Sequence, residues 1–146
     1  MGGIDNMDYT PKYFQPYELV PKETYELLKD KPWIIWQLFD PRVLYTGDKI
    51  RQFYGKMIAN THYWKGIHQY RGWRSGDCEI GAKYSQHKFG RALDLVPAEV
   101  TAEEIRQDIK LRKRGNIFQY ITCIEDGVGW LHFDTRNYKG LLIITL

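Results

Sequence analysis

The sequence predicts an α+β fold in a single domain, and three observations predict it. Helical patterns come early in the chain and recur once near position 105. Strand patterns gather in the last third. The regular alternation of strand and helix that marks a doubly wound sheet is missing. At 146 residues, 15% of them aromatic, the chain is long enough to bury one sizeable core. No internal repeat or low-complexity tract divides it, so residues 1–146 read as one domain, with 1–16 as an N-terminal arm.

Taken in order, residues 9–16 form an aromatic arm broken by prolines, and 21–28 form a short helix opened by Pro21. Positions 41–54 carry Val43, Leu44, Ile50, Phe53 and Tyr54 on one helical face and stop at Gly55. A short strand is expected at 57–60, then a loop rich in glycine and charge over 66–83, the kind of segment that builds substrate sites. Residues 92–96, Ala-Leu-Asp-Leu-Val, read as a short buried strand. Thr101-Ala102-Glu103-Glu104 is a capping box that starts a helix running to about Arg114, where Gly115 stops it. Strands follow at 120–125 and 130–135, paired through the Gly127-Val128-Gly129 turn, and a third at 140–146.

Two segments carry chemistry. The first is Ser85-Gln86-His87-Lys88-Phe89-Gly90-Arg91-Ala92-Leu93-Asp94, and the second is Trp130-Leu131-His132-Phe133-Asp134. A catalytic zinc takes three protein ligands, commonly imidazole nitrogens and a carboxylate oxygen, and keeps a fourth position open. His87, Asp94 and His132 meet that requirement. A single histidine in a strand is more often an ordinary core or surface residue, so the weight rests on the joint pattern. Asp94, flanked by Leu93 and Leu95, is costly to bury without a partner, and a metal supplies one. Strand alternation puts Trp130, His132 and Asp134 on one face and Leu131 and Phe133 on the other. Asp134 is thereby suited to accept a hydrogen bond from the second ring nitrogen of His132, from Trp130 or from a neighbouring ligand.

The string S-x-H-x-x-G-x-A-x-D followed by W-x-H-x-D resembles the zinc peptidases that include D-alanyl-D-alanine carboxypeptidases, vancomycin-resistance dipeptidases and phage L-alanyl-D-glutamate endopeptidases, with the hedgehog domain as a structural relative. The resemblance spans nearly the whole chain. It implies a hedgehog/DD-peptidase-like fold, a small antiparallel sheet with helices packed on one side, and one zinc ion held by His87, Asp94 and His132. Arg71-Gly72-Trp73-Arg74-Ser75 is similar to the family's S-G-Y-R segment, which implies that Arg74 contacts a substrate carboxylate, with Arg71 competing for the role and Ser85 and Trp130 beside it. The general base departs from the family pattern: many relatives carry an acid three residues before the last histidine, where this chain has Gly129. Glu125 and Asp126 are the nearby acids, and Asp126 is favoured on the expectation that a turn residue has the freer reach.

The implied activity is hydrolysis of an amide bond in peptidoglycan stem peptides by a phage or prophage protein. A non-catalytic zinc-binding module, such as a virion component, is the alternative. The formal charge of +3 is mild and its basic residues are scattered, which favours approach to an anionic cell wall but is no nucleic-acid footprint. The dense run Lys110-Leu111-Arg112-Lys113-Arg114 suits a helix C-terminus. Cys78 and Cys123 lack C-x-x-C spacing and read as free thiols in a reducing compartment. Cys78, His62 and His68 are expected to be non-ligands. The amino terminus lacks a secretory signal and no stretch reaches membrane-spanning length. The expectation is therefore a monomer made in the cytoplasm, reaching the wall through lysis or as part of a virion, with a peptidoglycan peptide as partner and neither nucleic acid nor membrane. Because the resemblance spans nearly the whole chain, a separate wall-binding module is not expected.

Overall fold

Prolines punctuate the N-terminal half. In this computed structural model, which describes residues 8–112 and 115–146, they open three helices: α1 (Pro16–Leu19), α3 (Pro32–Gln37) and α4 (Pro41–Tyr54). A proline in the first helical position loses nothing, because its missing N–H would have had no partner there. Helix α2 (Lys22–Leu28) follows Pro21, one residue later than the sequence suggests. Helix α4 keeps the predicted bounds. Asp40 caps its start by accepting from Arg42 N, and Gly55, at φ +87°, ends it.

Helix α4 buries Val43, Leu44, Ile50 and Tyr54, and also one carboxylate, Asp48. The N-terminal arm satisfies that carboxylate: the Tyr9 hydroxyl donates to it at 2.6 Å, Lys12 N at 2.7 Å and Tyr13 N at 3.1 Å. Three donors on one buried acid tie the arm's described part down. Residues 1–7 of the predicted arm lie outside the described residues.

The sheet contains β1 (Met57–Ile58), β2 (Ala92–Pro97), β3 (Cys123–Asp126), β4 (Leu131–Asp134) and β5 (Leu142–Thr145), in the order β1-β2-β4-β3-β5. The first three pairings are antiparallel, but β5 runs parallel to β3. The sheet is therefore mixed, and the expected all-antiparallel sheet is corrected on this point. After β4 the chain crosses back to the free edge of β3 and re-enters in the same direction, which a hairpin cannot do.

Helices α4 and α5 (Ala102–Leu111) pack against one face of the sheet. That face presents Leu93, Leu95, Ile124, Leu131 and Phe133, in one cluster with Val43, Leu44, Ile105 and Ile109. A methyl group added at Gly47 would sit 2.9 Å from Leu93 Cδ1, so glycine lets α4 approach β2 closely. The Thr101–Glu104 capping box forms as predicted, but α5 ends earlier, at Arg112 with φ +53°; Lys113 and Arg114 lie outside the described residues. Buried Arg106 locks α5 to the sheet by donating to Trp130 O at 2.8 Å and Val128 O at 3.1 Å. Among the described residues no helix is long and apolar enough to cross a membrane.

Candidate metal centre

The other face of the sheet is polar, and strand register assembles it. Asp94 on β2 sits directly opposite His132 on β4. Directly opposed residues in an antiparallel pair point to the same face with their Cβ atoms about 5 Å apart. His132 Nδ1 accordingly lies 2.8 Å from Asp94 Oδ1. His87 arrives from the loop before β2, on a 3-10 turn (Gln86–Phe89) that Ser85 caps by accepting from His87 N at 3.2 Å. The turn ends at Gly90 with φ +67°, a left-handed conformation that glycine adopts freely. His87 Nε2 then stands 3.2 Å from Asp94 Oδ2.

Each imidazole is oriented through its remaining nitrogen. His87 Nδ1 donates to Gly72 O at 2.7 Å, which turns Nε2 toward Asp94. His132 Nε2 donates to Asp134 Oδ2 at 2.7 Å, which leaves Nδ1 facing Asp94. Asp134 is fully buried and is held in turn by Arg136, whose Nε and Nη2 donate at 2.8 and 2.7 Å. A carboxylate behind a histidine is the arrangement that fixes the tautomer of a metal ligand.

Protonation follows the same contacts. Burial opposes ionisation of Asp94, but hydrogen bonds from His132 and His87 outweigh it and hold the carboxyl well below the usual range. Burial would likewise disfavour charge on His132, yet its bonds to Asp134 and Asp94 raise its pKa to about 9. Asp134 is lowered despite burial, by Arg136 and His132. The centre thus gathers negative charge on two buried acids and compensates it with protons, a state that a bound cation can replace. His87, Asp94 and His132 each offer one donor atom, all within 4.8 Å of one another, and could hold a metal ion. Two imidazoles and a carboxylate are a donor set that a divalent metal ion accepts.

A cleft of about 460 Å³ opens beside these ligands, and Arg74, Ser85, Glu125 and Trp130 are among its lining residues. Glu125 Oε1 lies 3.9 Å from His132 Nδ1. Asp126, favoured on spacing, faces the other way: it pairs with Lys110 at 3.1 Å and lies 3.7 Å from Arg106 Nε, both on α5. The reason is that β3 extends through Asp126, so this residue is no freely reaching turn position, and successive strand residues point to opposite faces. Arg74 reaches the cleft with its guanidinium braced by Tyr70 O (2.7 Å) and Ile80 O (3.2 Å), and its Nη2 is 3.6 Å from Asp94. Arg71 points elsewhere and donates to Ala59 O at 3.0 Å. Trp130 stands half-exposed at the rim.

His62 contacts Val20 O at 2.9 Å and, like His68 and Cys78, falls outside the donor group. Both cysteines are free thiols; burial, with Asp134 nearby, pushes the Cys123 thiol up to about 12, so it stays protonated. Sequence reasoning missed Arg136 and the Gly72 carbonyl. The first had a faint signal, an arginine two residues after Asp134 and so on the same face; the second had none, since a backbone carbonyl leaves no trace in side-chain pattern. Gln86 Oε1 is also buried at the cleft, with no hydrogen-bond partner among the described residues.

Compared with protein-family models, with curated proteins and with solved structures, the chain gives no significant match.

Proposed function

We propose that this chain is a zinc-dependent peptidase that hydrolyses an amide bond in peptidoglycan stem peptides, of the D-alanyl-D-alanine carboxypeptidase or L-alanyl-D-glutamate endopeptidase type, and that it is phage-derived. One observation carries the reading: three oriented donors, His87, Asp94 and His132, meet at the wall of a cleft that also holds an acid, Glu125, and an arginine, Arg74. Substrate class and origin rest on the motif resemblance, and delivery to the wall would follow lysis or carriage on a virion.

His87, Asp94 and His132 would hold the zinc, which would supply Lewis acidity toward the scissile carbonyl and the attacking water. Glu125 takes the proton from the attacking water at Oε1 and returns it to the leaving amine, the general acid–base role for a carboxylate on the open side of the ligands. Arg74 orients a substrate carboxylate through its Nη2 side, the rest of its fork being fixed by Tyr70 and Ile80. Ser85 holds the His87 turn in place, and Trp130 offers an aromatic wall for the peptide. Asp134 keeps the His132 ring aligned.

The test is zinc content measured together with release of new amino termini from purified peptidoglycan, for the native sequence and Glu125→Gln. The expected result is one zinc per chain in both and a loss of about 10²–10⁴-fold in cleavage for the variant. Zinc without any cleavage would hand the site to a non-catalytic binding module, and a chain that retains no zinc would end both readings.

A further inference from the structure

Next to the metal cleft lies a second one built from arginines. Arg42, Arg91 and Arg136 line a cavity of about 350 Å³ together with Gln119, Tyr120 and Tyr138. Arg136 also lines the metal cleft, so it stands on the wall between the two. Three guanidinium groups around one small space repel one another unless anions offset them. Two are offset from behind: Arg136 by Asp134, and Arg42 by Asp40, whose Oδ1 accepts from Arg42 Nε at 3.1 Å. These contacts occupy one edge of each guanidinium and leave further N–H donors.

Arg91 differs. Among the described residues no carboxylate lies within ion-pair distance of it, and its one charge-related contact is the Phe89 ring, 5.9 Å away. Its backbone is nonetheless fixed on both sides, with its N–H donating to Gln86 O at 3.0 Å and its carbonyl accepting from Thr135 N at 3.0 Å. An excess of one positive charge is therefore presented from a rigid support. The surrounding amide and phenol groups add uncharged hydrogen-bonding capacity, and the cavity volume is within the range of small-ligand sites.

We infer that the arginine cleft is an oxyanion site, taking a carboxylate or phosphate group through the planar forks of Arg91, Arg42 and Arg136. The oxyanion belongs to the same polymer that enters the metal cleft; this attribution rests on the peptidase reading, whereas the oxyanion site itself does not. The site would hold the polymer at a second point, across Arg136 from the histidines.

The experiment is an amide chemical-shift titration of the native chain, Arg91→Gln and Arg91→Lys with inorganic phosphate and, separately, N-acetyl-D-glutamate. Saturable shifts centred on residues 91, 120 and 136–138 are expected, with Kd weakened about tenfold in Arg91→Gln and less in Arg91→Lys, since lysine keeps the charge but loses the fork. Tighter binding of the carboxylate supports a peptide carboxylate of that polymer, and tighter binding of phosphate overturns the attribution to it while keeping the oxyanion site. Shifts centred on His87 and His132, or an unchanged Kd in Arg91→Gln, would overturn the inference. On peptidoglycan the Arg91→Gln chain should show a higher KM at unchanged kcat. Absence of cleavage by the native chain would remove the peptidase reading while the titration still decides the site.

Discussion

The two faces of one strand do different work in this protein. Along β4, Leu131 and Phe133 point into the cluster under α4 and α5, whereas His132 faces the cleft with Asp134 buried behind it, and β2 repeats the division with Leu93 and Leu95 against Asp94. Neighbours in sequence thus belong to separate energetic systems, one apolar and dry, the other charged and hydrogen-bonded. A slip of one residue in the β2–β4 register would turn over the slipped strand, sending Asp94 or His132 among the helices and that strand's apolar residues out of the core, so the hydrophobic face enforces the register on which the candidate metal centre depends.

Changes on either face should therefore be separable. The largest effect is expected from Phe133→Ala, which removes a fully buried ring and should cost about 3–5 kcal/mol of stability, read by denaturant unfolding, while the folded fraction keeps its zinc affinity. The adjacent His132→Ala should do the reverse, losing zinc on dialysis while keeping a cooperative transition. Next comes Asp134→Asn, which keeps shape but removes the charge behind His132; zinc affinity should fall about 10–100-fold by competition with a chelator. If affinity were unchanged, the carboxylate would serve Arg136 and the fold alone. The smallest effect belongs to Asp126→Asn, on the helix side of β3. Its ion pairs with Lys110 and Arg106 are partly exposed, so stability should drop by at most about 1 kcal/mol and kcat should stay at the native level, in contrast to Glu125→Gln.

Much of this arrangement was legible from short-range rules. Helix α4 follows from the Pro41 start, the apolar spacing and Gly55, and the start of α5 from its capping box. The His87–Asp94–His132 grouping was legible because both segments carry local pattern, a glycine-ended turn with His87 and two strands that put Asp94 and His132 on one face of the sheet. Helices α1 and α3 were not anticipated: each is one to two turns long, too short for periodicity to register, and held by tertiary packing. The parallel placement of β5 depends on a crossover between distant segments, about which Gly140 and the apolar run after it say nothing. The placement of Asp126 and Glu125 turned on a boundary of one residue, since a strand that continues to Asp126 puts Glu125 on the His132 face and Asp126 on the helix side. Arg71 and Arg74 were separated only by the fold, which spends the first on Ala59 and brings the second to the cleft.

Gly90 ties the two halves of the chain together. Its carbonyl accepts from Asp40 N at 2.8 Å, and a side chain at this position would collide with the carbonyl oxygen of Leu38. The turn that carries His87 is thus seated on the junction between α3 and α4, far earlier in sequence than any ligand. For protein engineering this makes the centre a poor graft: the β2–β4 pair moved to another scaffold would bring Asp94 and His132 but leave His87 without its seat. A recipient would have to reproduce the Leu38–Asp40 corner as well as the ligands.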